Sequence, residues 1–222
     1  MKVLPRRGRT AVNADTETTT RLVLKAASLV LAYPDEELLG RLSTIEHALA
    51  GTTAQPQFAP VLHHLRQGPT TTPTGPLTHL ARLQAFHVAE FDLSRKHALH
   101  LSYWTDGDTR RRGAALVDVQ STYRESGLEV DPAGELPDYL PLVLEFAAAA
   151  PEAGLALLQR FRASLELIRL GLVADALPHA GVLEAVCDLL PGEAAHSLAE
   201  VQARFGEAQP IEFVGLSESA RA

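Results

Sequence analysis

The stretch from Leu77 to Thr105, LTHLARLQAFHVAEFDLSRKHALHLSYWT, runs for 29 residues without a glycine or a proline. Its apolar positions recur at helical spacing: Leu77, Leu80, Val88, Phe91, Ala98 and Leu99 fill one sector of a helical wheel. Phe86, Leu93 and Trp104 fall on the far side. Apolar residues on two sides predict one long central helix with neighbours on both faces. Arg95 lies within the apolar sector, where an unpaired guanidinium is costly, and it reads either as a structural ion pair with Asp92 one turn earlier or as a direct contact to an acidic group of a partner.

The same periodicity continues on either side. Leu22, Ala26, Leu29 and Tyr33 share a face that Pro34 ends, and Asp35 is placed to cap a second helix over about Glu36 to Ala50. After the Asp106-Gly107 turn, Asp108 is expected to cap a helix reaching about Ser126, and Pro137 to open another. Further helices are expected over Pro151 to Ala174, His179 to Leu190 and Glu193 to Phe205. No alternating strand pattern stands out, so the fold class is all-α, a single helical bundle. Residues 1–18 are polar and aperiodic and read as a disordered tail, 19–205 as the helical domain, and 206–222 as a second disordered tail. Within the domain, 66–76 reads as a flexible Pro/Thr-rich loop.

Composition narrows the function. A chain of 222 residues, 46% apolar, suffices for a sizeable core. Twenty basic against 27 acidic residues give a net charge of −7, which disfavours a nucleic-acid partner. The single cysteine, Cys187, sits among apolar neighbours and reads as a buried structural thiol in a reducing compartment. Arg6-Arg7 is followed by a polar, Thr-rich stretch rather than the apolar segment of an export signal, and no apolar run is long enough to insert in a membrane. The expected location is the cytoplasm.

Three groups of residues invite chemistry. His87, Glu90, His97 and His100 are spaced like helical metal ligands but point in scattered directions, with no second Glu-x-x-His motif. They read as surface or half-buried histidines, and no metal or cofactor is expected. Arg110-Arg111-Arg112 reads either as a solvated charge run or as an anchor for an anionic cofactor or nucleotide. Between Glu125 and Gln159 there are seven acids and no Lys, Arg or His. Glu135 and Asp138 there are read in two ways: as caps at a helix start, or as an acidic rim beside Leu136, Tyr139, Leu140 and Val143 that receives a basic, apolar peptide. No nucleophile, base and orienting group can be assembled by spacing, which favours binding over catalysis.

The strings Tyr103-Trp104-Thr105-Asp106-Gly107-Asp108-Thr109-Arg110, Arg112-Gly113, Tyr123-Arg124 and Glu135-Leu136-Pro137-Asp138-Tyr139-Leu140-Pro141 resemble those of the nitrate reductase molybdenum cofactor assembly chaperones. This is the delta-subunit family, within the redox-enzyme maturation chaperones. The resemblance runs from about Leu22 to Leu190, includes Ala32-Tyr33-Pro34-Asp35, and fails at the tails and the Pro/Thr loop. It implies an all-helical, non-enzymatic, cytoplasmic chaperone, monomeric or weakly dimeric. Its partner would be the apo catalytic (alpha) subunit of nitrate reductase, whose amino-terminal peptide it would bind while the molybdenum cofactor is inserted. The matching positions are Tyr103, Trp104, Gly107, Asp108, Arg112, Glu135, Pro137, Asp138 and Tyr139. The expected peptide groove uses Tyr103, Glu135, Leu136, Asp138, Tyr139, Leu140 and Val143; Asp92, Arg95, Trp104, Gly107, Asp108, Arg112 and Pro137 are expected to be structural. Two rival expectations are a nucleotide- or cofactor-binding protein using Arg110 to Arg112, and a structural subunit of a larger complex.

Overall fold

The structure, a computed structural model, describes residues 9–69, 77–107, 110–131 and 134–206, with side chains from residue 15 onward. The described residues form eleven α-helices: α1 (Arg9–Leu31), α2 (Glu36–Leu49), α3 (Gln55–Gln67), α4 (His79–His87), α5 (Leu101–Asp106), α6 (Arg110–Glu125), α7 (Leu140–Ala149), α8 (Pro151–Arg160), α9 (Arg162–Ala174), α10 (Ala180–Asp188) and α11 (Leu198–Phe205). Among them the only β-type contact is a single antiparallel bridge between His100 and Tyr139. The all-α expectation is met.

Local chemistry sets several boundaries. Asp35 is extended and its Oδ1 accepts the Leu38 N–H at 2.7 Å, capping α2 as its place after Pro34 dictates. Thr78 caps α4 through Ala81 N–H, and Ser197 caps α11 through Glu200 N–H. α1 opens at Arg9, inside the stretch expected to be a tail. Thr20 Oγ1 donates to the Thr16 carbonyl and Arg21 pairs with Glu17 four residues back, so the polar stretch supports the helix by local contacts rather than by an apolar stripe. Residues 1–8, 70–76 and 207–222 lie outside the described residues, and Arg66 and Gln67 are the last turn of α3 rather than loop.

The long helix expected over Leu77 to Thr105 is broken. α4 widens into a π-helical turn over Val88–Asp92, where Leu93 N–H donates to Val88 O at 2.9 Å, and the chain then leaves the helix. Two tertiary demands override the periodicity. The segment runs so close to α9 that a Cβ on Gly171 would stand 2.7 Å from the Lys96 carbonyl oxygen. The His97 ring is buried there, with Nδ1 3.4 Å from Glu90 Oε2 and Nε2 3.2 Å from Asp175 Oδ2. Arg95 and Asp92 consequently sit on the exposed outside of this excursion, not in an apolar helical sector, and no ion pair between them is seen.

The central helix is α9 instead. Every residue from Phe161 to Arg169 is buried, including Arg162, Ser164, Glu166 and Arg169. α1 lies antiparallel against α7, with Ser28 Oγ donating to Pro141 O at one end and Arg21 Nη1 donating to Ala148 O and Ala149 O at the other. α7 and α8 cross so tightly that a Cβ at Gly154 would lie 2.2 Å from Ala147 Cα.

His64, His87 and His179 are buried together with Phe91 and against half-buried Phe86, His179 lying 5.7 Å from His64 and 5.0 Å from Phe91. Burial is the main cause that lowers His64 and His87 to about 4 and His179 well below its usual value; these rings are neutral and pack as aromatics. His87 and His97 are thus core residues, not the surface or half-buried side chains expected. Among the described residues no group of three or more His, Cys, Asp or Glu side chains is placed to hold a metal ion, and no helix is long and apolar enough to cross a membrane. Cys187 is buried, and burial, with Glu166 nearby, pushes its thiol up to about 12.

Candidate peptide-docking site

The motif residues converge on a knot between α5, α6 and α7. Six-residue α5 has no cap of its own, since His100 at its N-cap makes no capping bond. Asp138 supplies one from another segment: Oδ2 accepts Ser102 N–H at 2.9 Å and Ser102 Oγ–H at 2.6 Å. Leu101 N–H donates to Asp138 O and Leu140 N–H to Leu99 O, which makes the bridge that ties the two segments together. Arg112 Nε donates to Ser102 Oγ at 3.3 Å, and Ser164 Oγ–H to Leu101 O at 2.7 Å, joining α6 and α9 to the same point.

Pro137 is not the first residue of a helix. It is buried in a turn closed by Tyr139 N–H donating to Leu136 O, and its carbonyl accepts the Tyr123 hydroxyl at 2.7 Å; α7 starts three residues later with Pro141 in its first turn. Trp104 is buried, with Nε1–H donating to Ala98 O at 2.8 Å. Gly107 ends α5 with φ +57°, a conformation that favours glycine. Asp108 lies outside the described residues.

The seven residues expected to line a groove divide in two. Asp138, Leu140 and Val143 are each 0% exposed and belong to the core, so Asp138 is a cap rather than a rim carboxylate. Burial alone would raise its carboxyl, but hydrogen bonds from His100 and from the side chain and backbone of Ser102 outweigh that and hold it below the usual carboxylate value. Tyr103 and Tyr139 are half-buried, Leu136 is 40% exposed and Glu135 is exposed. Burial raises the Tyr139 hydroxyl, with the Glu135 and then the Asp92 carboxylate adding to the effect. His100, 29% exposed and 5.4 Å from the Tyr139 ring, completes the face, and spacing alone gave no sign of its place there.

Of the arginine run, Arg110 and Arg111 are exposed and Arg112 is half-buried against Ser102. An open groove of ≈ 810 Å³ lies at the other end of α7 between α1 and α8, lined by Glu17, Arg21, Ser126, Glu152 and Leu155 among others; no residue expected at the docking site lines it.

The sequence profile described as nitrate reductase delta subunit matches residues 54–185. Among curated relatives, "Nitrate reductase-like protein NarX" of Mycobacterium tuberculosis is 37% identical over 167 residues, 75% of this chain and 24% of that protein. "Probable nitrate reductase molybdenum cofactor assembly chaperone NarJ" of Bacillus subtilis is 32% identical over 133 residues, 60% of this chain and 68% of that protein. "Nitrate reductase molybdenum cofactor assembly chaperone NarJ" of Escherichia coli K12 is 34% identical over 131 residues, 59% of this chain and 52% of that protein. The chain thus spans about a quarter of the first of these relatives, two thirds of the second and half of the third. A crystal structure of a candidate redox enzyme maturation protein from Archaeoglobus fulgidus shares the fold, with a TM-score of 0.55 at 21% identity over 85% of this chain and 98% of that one. The profile match over more than half of the sequence, and the motifs gathered at the Asp138 knot, lead to one assignment: the chain belongs to the nitrate reductase delta subunit family.

Proposed function

We propose that this protein is a non-catalytic, cytoplasmic assembly chaperone of a nitrate reductase, acting as a monomer or weak homodimer. It binds the amino-terminal peptide of the apo catalytic subunit and keeps that subunit competent for molybdenum cofactor insertion and membrane assembly. The observation that carries the reading is the convergence of the family's motif on a buried cap, Asp138, that holds Leu136, Tyr139 and Glu135 at the surface as an apolar and acidic face. An apolar peptide side chain covering Leu136 and the Tyr139 ring supplies affinity, and Glu135 selects a basic neighbour.

The double variant Glu135→Lys, Leu136→Ser tests this face. Both side chains are exposed, so helicity and melting stay as in the wild type. Peptide affinity falls about tenfold or more, since losing one apolar contact and reversing one charge together exceed the 1.4 kcal/mol that a factor of ten requires. Unchanged affinity in a folded variant excludes this face and moves attention to the groove between α1 and α8.

A further inference from the structure

His100 differs from the buried histidines in having one edge held and the other in reach of solvent. Its Nδ1 lies 3.4 Å from Oδ1 of Asp138, a carboxylate that is itself 0% exposed and held below its usual value by the hydrogen bonds from His100 and Ser102. A carboxylate accepts, so Nδ1 carries the hydrogen, and in the neutral form of the ring Nε2 is then the lone-pair acceptor. The His100 ring lies 5.4 Å from the Tyr139 ring, whose hydroxyl is raised by burial and then by the exposed carboxylates of Glu135 and Asp92. The basic side chains nearest by sequence or bonding are Lys96, paired with Asp175, Arg95, exposed on the excursion after the π turn, and Arg112, engaged with Ser102.

We propose that His100, oriented by Asp138, is a specificity-determining residue of the docking face and forms with Tyr139 a subsite for one cationic side chain, a Lys ammonium or Arg guanidinium, of the bound peptide. A cation there meets a lone pair at Nε2, the negative face of an aromatic ring, and two carboxylates that set the sign of the local field. An anionic group meets repulsion at every one of these. Asp138 acts as a positioning residue: it fixes which nitrogen is the acceptor without touching the ligand. This inference rests on the peptide-binding reading above.

The test titrates wild-type protein, His100→Phe and His100→Gln with two synthetic peptides. One copies the amino terminus of the cognate catalytic subunit; the other replaces its Lys by norleucine and its Arg by citrulline. His100→Phe keeps the ring but removes the acceptor, and is expected to bind the basic peptide about tenfold more weakly while binding the neutralised one within about twofold of wild type. His100→Gln retains an acceptor oxygen and is expected to remain within about threefold of wild type for both. The inference is overturned if His100→Phe binds the basic peptide like wild type, or loses both peptides equally, as a merely structural role would have it. If the wild type binds neither peptide, the peptide-binding reading itself fails, and this subsite with it.

Discussion

Glu166→Ala is expected to lower the unfolding free energy by about 3–5 kcal/mol, the cost of leaving buried charges without their partner. Glu166 is 0% exposed and lies between two guanidiniums: Arg162 Nε at 2.9 Å from Oε1 and Arg169 Nε at 2.8 Å from Oε2. The arginines also donate to Cys187 O and Ala195 O, pinning α10 and the segment before α11 onto α9. The nearby Cys187 thiol is neutral and offers no substitute anion. A domain stabilised by about 5–15 kcal/mol loses a large share of its margin in this way. Urea denaturation measures the loss; a change below about 1 kcal/mol would mean that water reaches the triad and screens it. Replacing all three residues by apolar side chains of similar volume is expected to cost far less, because desolvation is then relieved together with the attraction.

Asp138→Ala carries the second large effect, about 3–5 kcal/mol, because the buried Ser102 N–H and hydroxyl both lose their acceptor. Glu135→Lys, three residues away and exposed, is expected to change stability by less than about 0.5 kcal/mol. The contrast separates a cap from a recognition residue. The two acids look alike in the sequence, yet comparable losses in both would contradict the division drawn here. The pH dependence has a definite sign. The folded carboxyl is held below its unfolded value of about 3.9, so its contribution is fully present above that value and is lost as the pH falls through the folded one. Asp138→Asn removes that contribution, flattening the acid limb of the stability curve relative to wild type.

Much of the architecture is legible from residue spacing, and the failures have physical causes. The Pro34-Asp35 cap and the all-helical class follow from local chemistry and period. α9 does not read as the central helix, because Arg162, Glu166 and Arg169 give its sequence a polar face; only the fold shows that these charges neutralise one another inside the core. The stretch from Leu77 to Thr105 reads as continuous, because nothing local marks the π turn at Val88–Asp92. The break is imposed by α9 approaching at Gly171 and by the bridge to Tyr139. Pro137 has the residue type of a helix start but serves a turn, its carbonyl committed to Tyr123. At the site, Leu136 and Glu135 are exposed and Tyr139 is half-buried, whereas Asp138, Leu140 and Val143 lie in the core. His100 cannot be placed at the site from spacing because its partner lies 38 residues away in sequence.

The most direct test of the central claim is titration of the purified protein with a synthetic peptide copying the amino terminus of the cognate nitrate reductase catalytic subunit, at low and at high salt. Saturable binding is expected, weakening as salt rises chiefly through slower association, because exposed carboxylates draw in a basic ligand. Absence of binding at both salt concentrations would contradict it.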